Sequence, residues 1–140
     1  MLGLEVQNDP EMDDFGPPPF VLNGICGNVS FTGRFTGVVY FVVTPDLAHK
    51  ITGKMFRKDA EIKEHEENDV IGELTNLITG NLKSNMADAG YNCQLSIPGI
   101  MRGDDIRLSA KGFSIWVTKN FTVPEWRESF TVRVLAKVEV

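Results

Sequence analysis

The sequence has little cysteine, no long apolar run and no excess of positive charge, and each deficit excludes a class of protein. Cys26 and Cys93 are far apart, without a CxxC pair or neighbouring histidines, which argues against a zinc site or a redox pair. We interpret both as small buried apolar residues. No apolar run approaches the ~18 residues of a membrane span, so no membrane association is expected.

The charge balance is acidic, with 14 Lys and Arg against 19 Asp and Glu and a formal net charge of -5. A chain without a basic stripe is not expected to bind nucleic acid or anionic lipid, and it favours a partner with basic residues. The amino terminus MLGLEVQNDPEMDD is acidic and lacks the basic leader of a secretory signal, so the cytoplasm is the expected compartment.

The chain divides into an arm and one domain. Residues 1–20 have weak periodicity and end in the stiff stretch Gly16-Pro17-Pro18-Pro19, which cannot be helical, so we predict an N-terminal arm or linker. Residues 21–140 have the size of a single domain. Within them, residues 29–35 indicate a strand with a turn or bulge at Gly33, and residues 38–43 form an apolar run typical of a central strand.

Two helices are predicted in the middle of the chain. Thr44 is placed to cap the first and Pro45 to occupy its first position, and this helix extends to about Phe56. The second covers residues 64–87 and ends before Gly90.

The remaining segments alternate with period two. They predict a short strand at residues 92–97, a hairpin of residues 106–110 with 113–117, and a half-buried strand from Phe130 in which only Leu135 breaks the alternation. The expected fold is α+β, an antiparallel-rich sheet covered by two main helices.

The second helix carries a polar stripe in the segment ENDVIGELTNLITGNL. Asp69, Glu73 and Asn76 have the spacing i, i+4, i+7, which keeps them within roughly 60° of one helix face. The opposite side is apolar, with Val70, Ile71, Leu74, Ile78 and Leu82.

A solvated face is the simplest interpretation of this stripe, with Asp69 as a cap if the helix begins later than drawn. Two glycines favour a binding role for this face instead. Gly72 and Gly80 lie on or beside the stripe although each costs about 1 kcal/mol in a helix interior, and small residues there would let another surface approach the helix backbone.

Familiar catalytic sets are missing from the sequence. It contains no Ser/His/Asp or Cys/His arrangement, and His49 and His65 have no metal-ligand partners at suitable spacing, so we interpret both as solvated. No metal site is predicted in this chain.

The motif Asp69-xxx-Glu73-xx-Asn76, in the setting DVIGELTNLITGNL, resembles the active-helix motif of the CheX/CheC chemotaxis phosphatase family. The resemblance continues in FTGRFTGVVYFVVTPDLAHKITGKMF before the motif and in IPGIMRGDDIRLSAKGFSIWV after it, and it covers nearly the whole chain from Val21 onward.

The resemblance implies an enzyme that hydrolyses the aspartyl phosphate of a CheY-like response-regulator receiver domain. Glu73 would pair with a lysine of the receiver, Asn76 would hold the attacking water, and Asp69 would have a supporting role. The partner-docking face would include Gly72, Gly80 and Lys83. No cofactor belongs to the chain itself, and Mg²⁺ is expected on the partner receiver.

The CheC branch of the family carries two active helices and the CheX branch one. In the first helix, Asp46 is followed by Lys50 and Gly53 where the motif needs Glu and Asn, so the CheX branch, and with it a homodimer, is expected. Family members usually begin with a helix that would end near MLGLEV, where this sequence starts, so we expect a core-facing helix to be missing and apolar surface to be exposed.

Two alternatives stay open from the sequence. One is a non-catalytic CheX-like module that binds a receiver or a flagellar-switch protein. The other is a structural dimer in which the polar stripe is merely solvated.

Overall fold

A computed structural model describes residues 4–9, 19–56 and 61–138 of the chain. In this part the fold consists of one sheet and two helices, α1 (Pro45–Phe56) and α2 (Glu64–Asp88). The strands are β1 (Gln7–Asn8), β2 (Phe20–Gly33), β3 (Phe35–Val43), β4 (Cys93–Leu95), β5 (Gly99–Leu108), β6 (Ile115–Val123) and β7 (Glu128–Val138).

The sheet is antiparallel throughout its described pairs, in the order β1-β6-β7-β3-β2-β4, with β5 also paired to β2. The predicted α+β class is therefore confirmed. The apolar run of β3 lies between β2 and β7 and is buried on both faces. Phe41 packs under the helices, and Tyr40 packs on the opposite side of the sheet.

Both helices form where the sequence predicted them. The backbone N–H of Leu47 donates to Thr44 Oγ1 at 3.1 Å, which is the expected cap at the start of α1. α2 ends one residue later than predicted, and Gly90 follows it with a φ of +91°, a conformation that suits glycine. The apolar side of α2 packs on the sheet, with Val70, Ile71 and Leu74 buried.

The predicted hairpin of residues 106–110 with 113–117 is wrong. β5 pairs with β2 and β6 pairs with β7, so the two strands lie at opposite ends of the sheet. The link between them packs Ala110 and Phe113 against the face of the sheet that the helices leave open. Period-two alternation identified the strands, but it contains no information on which strand each one pairs with.

This second face explains the exception in the last strand. Leu135 is fully buried there in a cluster with Leu22, Cys26 and Tyr40. Because the connection between β5 and β6 covers this cluster, β7 needs an apolar residue on both of its faces at this point. Burial of both cysteines confirms their interpretation as small apolar residues.

The arm joins the sheet through β1, whose Gln7 and Asn8 pair with Thr122 and Phe121 of β6. The glycine-proline stretch of the arm, apart from Pro19, lies outside the described residues. An apolar groove of about 530 Å³ opens between the helices and the β6–β7 end of the sheet. Its lining includes Leu4, Ile78 and Phe130.

Candidate functional site

The site is built on one rigid helix. α2 crosses β2 at Gly27, where a Cβ atom would overlap Thr75 Oγ1. The buried Thr75 and Thr79 satisfy their hydroxyl groups by donating to carbonyl oxygens of the preceding turn, at 2.6 Å to Ile71 and 2.7 Å to Thr75. Small and self-satisfied side chains therefore let the helix lie close to the sheet, which fixes the direction of its outer face.

The outer face carries the predicted stripe. Asp69, Glu73 and Asn76 are all exposed on α2, and Asp69 lies in the second turn, so it does not cap the helix. The side chains of Glu73 and Asn76 have no hydrogen bond or ion pair to any other residue that the structure describes. An open carboxylate and an open carboxamide on one face are available to a ligand from outside.

The three residues predicted to dock the partner differ in how exposed they are. Lys83 is exposed, and Gly80 is open, since a Cβ atom at Gly80 would meet nothing within 4 Å. Gly72 is buried, and a Cβ atom there would lie 3.6 Å from Pro98 Cγ. The role predicted for Gly72 is corrected in this respect, because the surface that approaches the helix there is the chain's own Pro98.

Residues 94–98 form the other wall of the site. A groove of about 540 Å³ runs between this loop and α2, and its lining includes Asn76, Lys83, Gln94 and Ile97. These loop residues were not predicted to be part of the site. Their position depends on the pairing of β4 with β2, a contact between residues sixty or more positions apart, and the only local signal was an isoleucine in front of a proline.

The loop is fixed on two sides. The backbone N–H of Ser96 donates to the carbonyl oxygen of Ser30 at 2.8 Å, and Ser96 Oγ accepts from the backbone N–H of Ser30 at 2.9 Å. Pro98 packs on Gly72 of α2. The wall of the groove is thus tied to both the sheet and the helix.

A second network holds the start of α2. Arg102 of β5 donates from Nε to Asn68 Oδ1 at 2.7 Å and from Nη2 to Glu67 Oε1 at 3.0 Å. The second oxygen of Glu67 lies 3.4 Å from His49 Nδ1 of α1, so this histidine has a polar partner that the sequence did not predict. Three elements are therefore joined immediately before the polar stripe.

The described residues contain no group of three or more His, Cys, Asp and Glu side chains that could hold a metal ion. None of their helices is both long and apolar enough to cross a membrane. The chemistry that the site can supply is thus that of a carboxylate, a carboxamide and a lysine, which can bind, orient and form hydrogen bonds.

Comparison with known proteins gives a family and a set of similar folds, and no curated protein matches the chain. Three solved structures illustrate the fold likeness. They are CheX from Desulfovibrio desulfuricans (20% identity, TM-score 0.82), CheX from Vibrio vulnificus (19%, 0.78) and the CheX-CheY-BeF3-Mg²⁺ complex from Borrelia burgdorferi (18%, 0.72). Each match covers 98% of this chain and 89%, 86% and 88%, respectively, of the other.

The family model described as chemotaxis phosphatase CheX matches residues 25–119, more than half of the sequence. That range contains both helices, the polar stripe and the loop that walls the groove. The chain therefore belongs to the CheX family of chemotaxis phosphatases.

Proposed function

We propose that the chain hydrolyses the aspartyl phosphate of a CheY-like receiver domain, with Asn76 orienting the attacking water and Glu73 docking on a lysine of the partner. The observation that carries the proposal is the exposure of both side chains on one face of α2, without partners among the described residues. Family membership supports it, and so does the solved complex that joins CheX to CheY in Borrelia burgdorferi.

The proposed reaction requires few catalytic groups from this chain. Water attacks phosphorus, the bond from phosphorus to the aspartyl oxygen breaks, and the products are inorganic phosphate and the free carboxylate of the partner. Such a transfer needs an in-line nucleophile and stabilisation of charge on the phosphoryl oxygens. A divalent metal on the receiver would supply the charge, so we propose Mg²⁺ on the partner and no cofactor on this chain.

Asn76 suits the task because a carboxamide has both a donor and an acceptor and does not ionise. It can accept a hydrogen bond from the water while its N–H group stays near the phosphoryl oxygens. Glu73 can form a charge-assisted pair that strengthens as docking excludes water. Asp69, one turn before Glu73, would add negative charge toward the same lysine.

The test measures the lifetime of a phosphorylated receiver with and without the protein. The parent should shorten it, and Asn76→Ala should lower the rate by about 10²-fold or more while the fold persists. Asn85→Ala is the matched control, because Asn85 is an exposed asparagine on the same helix, about 180° round the axis from Asn76. An Asn76→Ala variant as active as the parent would reject the proposal.

Glu73→Gln separates docking from chemistry. Glutamine keeps the shape of the Glu73 side chain and removes its negative charge. The variant should therefore raise KM about tenfold and make KM less dependent on salt concentration. Asp69→Asn should have a smaller effect on KM. Binding without any change in phosphate lifetime would instead identify the non-catalytic module. The predicted homodimer stays a prediction, to be checked by the molar mass of the protein in solution.

A further inference from the structure

Two exposed apolar side chains lie on either side of the polar stripe. Ile97 is 88% exposed and Leu77 is 45% exposed. Ile97 belongs to the loop that lines the groove beside Asn76, whereas Leu77 lies about 100° round the helix from Asn76, toward the opposite edge of the stripe. The carboxamide is thus placed between two apolar groups.

The exposure of Ile97 is a consequence of a fixed loop. Ser96, immediately before it, exchanges hydrogen bonds with Ser30, and Pro98, immediately after it, packs on Gly72. The hydroxyl of Ser96 also donates to the carbonyl oxygen of Ile97 at 3.0 Å. Because the backbone on both sides of Ile97 is already fixed, the loop needs little further ordering when a partner covers this side chain, which favours binding.

Single exposed apolar residues are ordinary on protein surfaces. Ile97 and Leu77 differ because they lie beside the groups that must reach the partner, and apolar anchors around a polar centre are the usual anatomy of an interface. The charges along the stripe also predict the orientation of the bound partner. Acidic Asp69 and Glu73 occupy one end of the stripe and Lys83 the other, so the complementary partner presents a basic group and an acidic group in that order.

We infer that Ile97 and Leu77 are apolar anchors that bind the receiver domain on either side of its phosphorylated aspartate, while Lys83 faces an acidic group of the receiver. The inference rests on the proposed function, since it takes the receiver as the partner. A second copy of this chain is the competing occupant. A dimer through this face would cover Asn76, so it would exclude the receiver.

The experiment compares Ile97→Ser and Leu77→Ser with the parent. Binding is titrated with a receiver saturated with beryllofluoride and Mg²⁺, and kcat and KM are measured with the phosphorylated receiver. Each variant should weaken binding and raise KM about tenfold while kcat changes less than twofold, because an anchor contributes equally to the ground state and the transition state. Ile97→Val should restore most of the affinity.

Val21→Ser is the matched control, since Val21 is 51% exposed and lies on β2, outside the groove lining. It should bind as the parent does. Unchanged binding of Ile97→Ser and Leu77→Ser would overturn the inference, and so would a variant that dissociates a dimer and leaves receiver binding intact. A parent that binds the receiver without shortening its phosphate lifetime would instead overturn the proposed catalysis alone.

Discussion

Arg102 and Glu67 form the ion pair that ties the first turns of α2 to the sheet. Nη2 of Arg102 lies 3.0 Å from Glu67 Oε1, and their side chains are 27% and 12% exposed. The same guanidinium reaches Asn68, and the other oxygen of Glu67 reaches His49 of α1. The direction of the polar stripe therefore depends on a contact between three elements.

Replacing Arg102 with Met should lower the free energy of unfolding by about 1–2 kcal/mol, because a mostly covered carboxylate loses its main donor. Urea unfolding measures this loss. Lys50→Met is the control, since Lys50 is 42% exposed and its contact with Glu128 at 3.3 Å should contribute no more than about 0.5 kcal/mol. Equal losses in the two variants would contradict the structural role of Arg102.

One glycine within α2 and one glycine of β2 that faces α2 should respond oppositely to the same substitution. Gly72→Ala should raise the free energy of unfolding by up to about 1 kcal/mol, because alanine favours the helix and the new methyl would lie 3.6 Å from Pro98. Gly27→Ala should lower it by about 1–3 kcal/mol, because its methyl would overlap the buried Thr75. Thermal or urea unfolding of both variants checks the pair. Destabilisation by Gly72→Ala would mean that the loop packs more tightly than described.

Gly80 has no reason within the described fold to be glycine, since a Cβ atom there would meet nothing within 4 Å. Gly80→Ala should therefore stabilise the chain by about 1 kcal/mol. If a receiver approaches the helix backbone at this point, the same variant should bind it several-fold more weakly. Stability and binding measured together decide the role, and unchanged binding would leave Gly80 outside the docking surface.

The sequence predicted the parts of this molecule that local periodicity determines. The 3.6-residue period of α2 placed Asp69, Glu73 and Asn76 on one face, and the cap at Thr44 placed the start of α1. These features depend on neighbours within a few residues along the chain. Contacts between distant segments therefore leave these features unchanged.

The features that the sequence missed depend on pairing between distant segments. Whether β5 pairs with β6 or with β2 is decided by which arrangement covers Leu135 and Tyr40 on the second face of the sheet. A second long-range pairing, that of β4 with β2, brings residues 94–98 beside Asn76, so the groove was missed for the same reason as the sheet order. Alternation along one strand does not contain this information.

Two buried groups on the second face of the sheet predict how the stability of the chain changes at alkaline pH. Burial raises the pKa of the Cys26 thiol from 9.0 to about 12, although the charge of Arg133 opposes this shift. Burial also raises the pKa of Tyr40, and the neighbouring Cys26 adds to that shift. Both groups are therefore held in their neutral form by the fold, and both are released to ionise when the chain unfolds.

A pKa that is higher in the folded state gives stability that is complete below the unfolded pKa and is lost as the pH rises toward the folded value. The free energy of unfolding should therefore decline above about pH 9, with a slope approaching about 1.4 kcal/mol per pH unit from Cys26 alone. Urea unfolding between pH 8 and about pH 10.5 measures it. Cys26→Ala should reduce the slope, whatever its effect on stability at neutral pH. Equal slopes in parent and variant would show that the thiol ionises as readily in the folded chain as in the unfolded one.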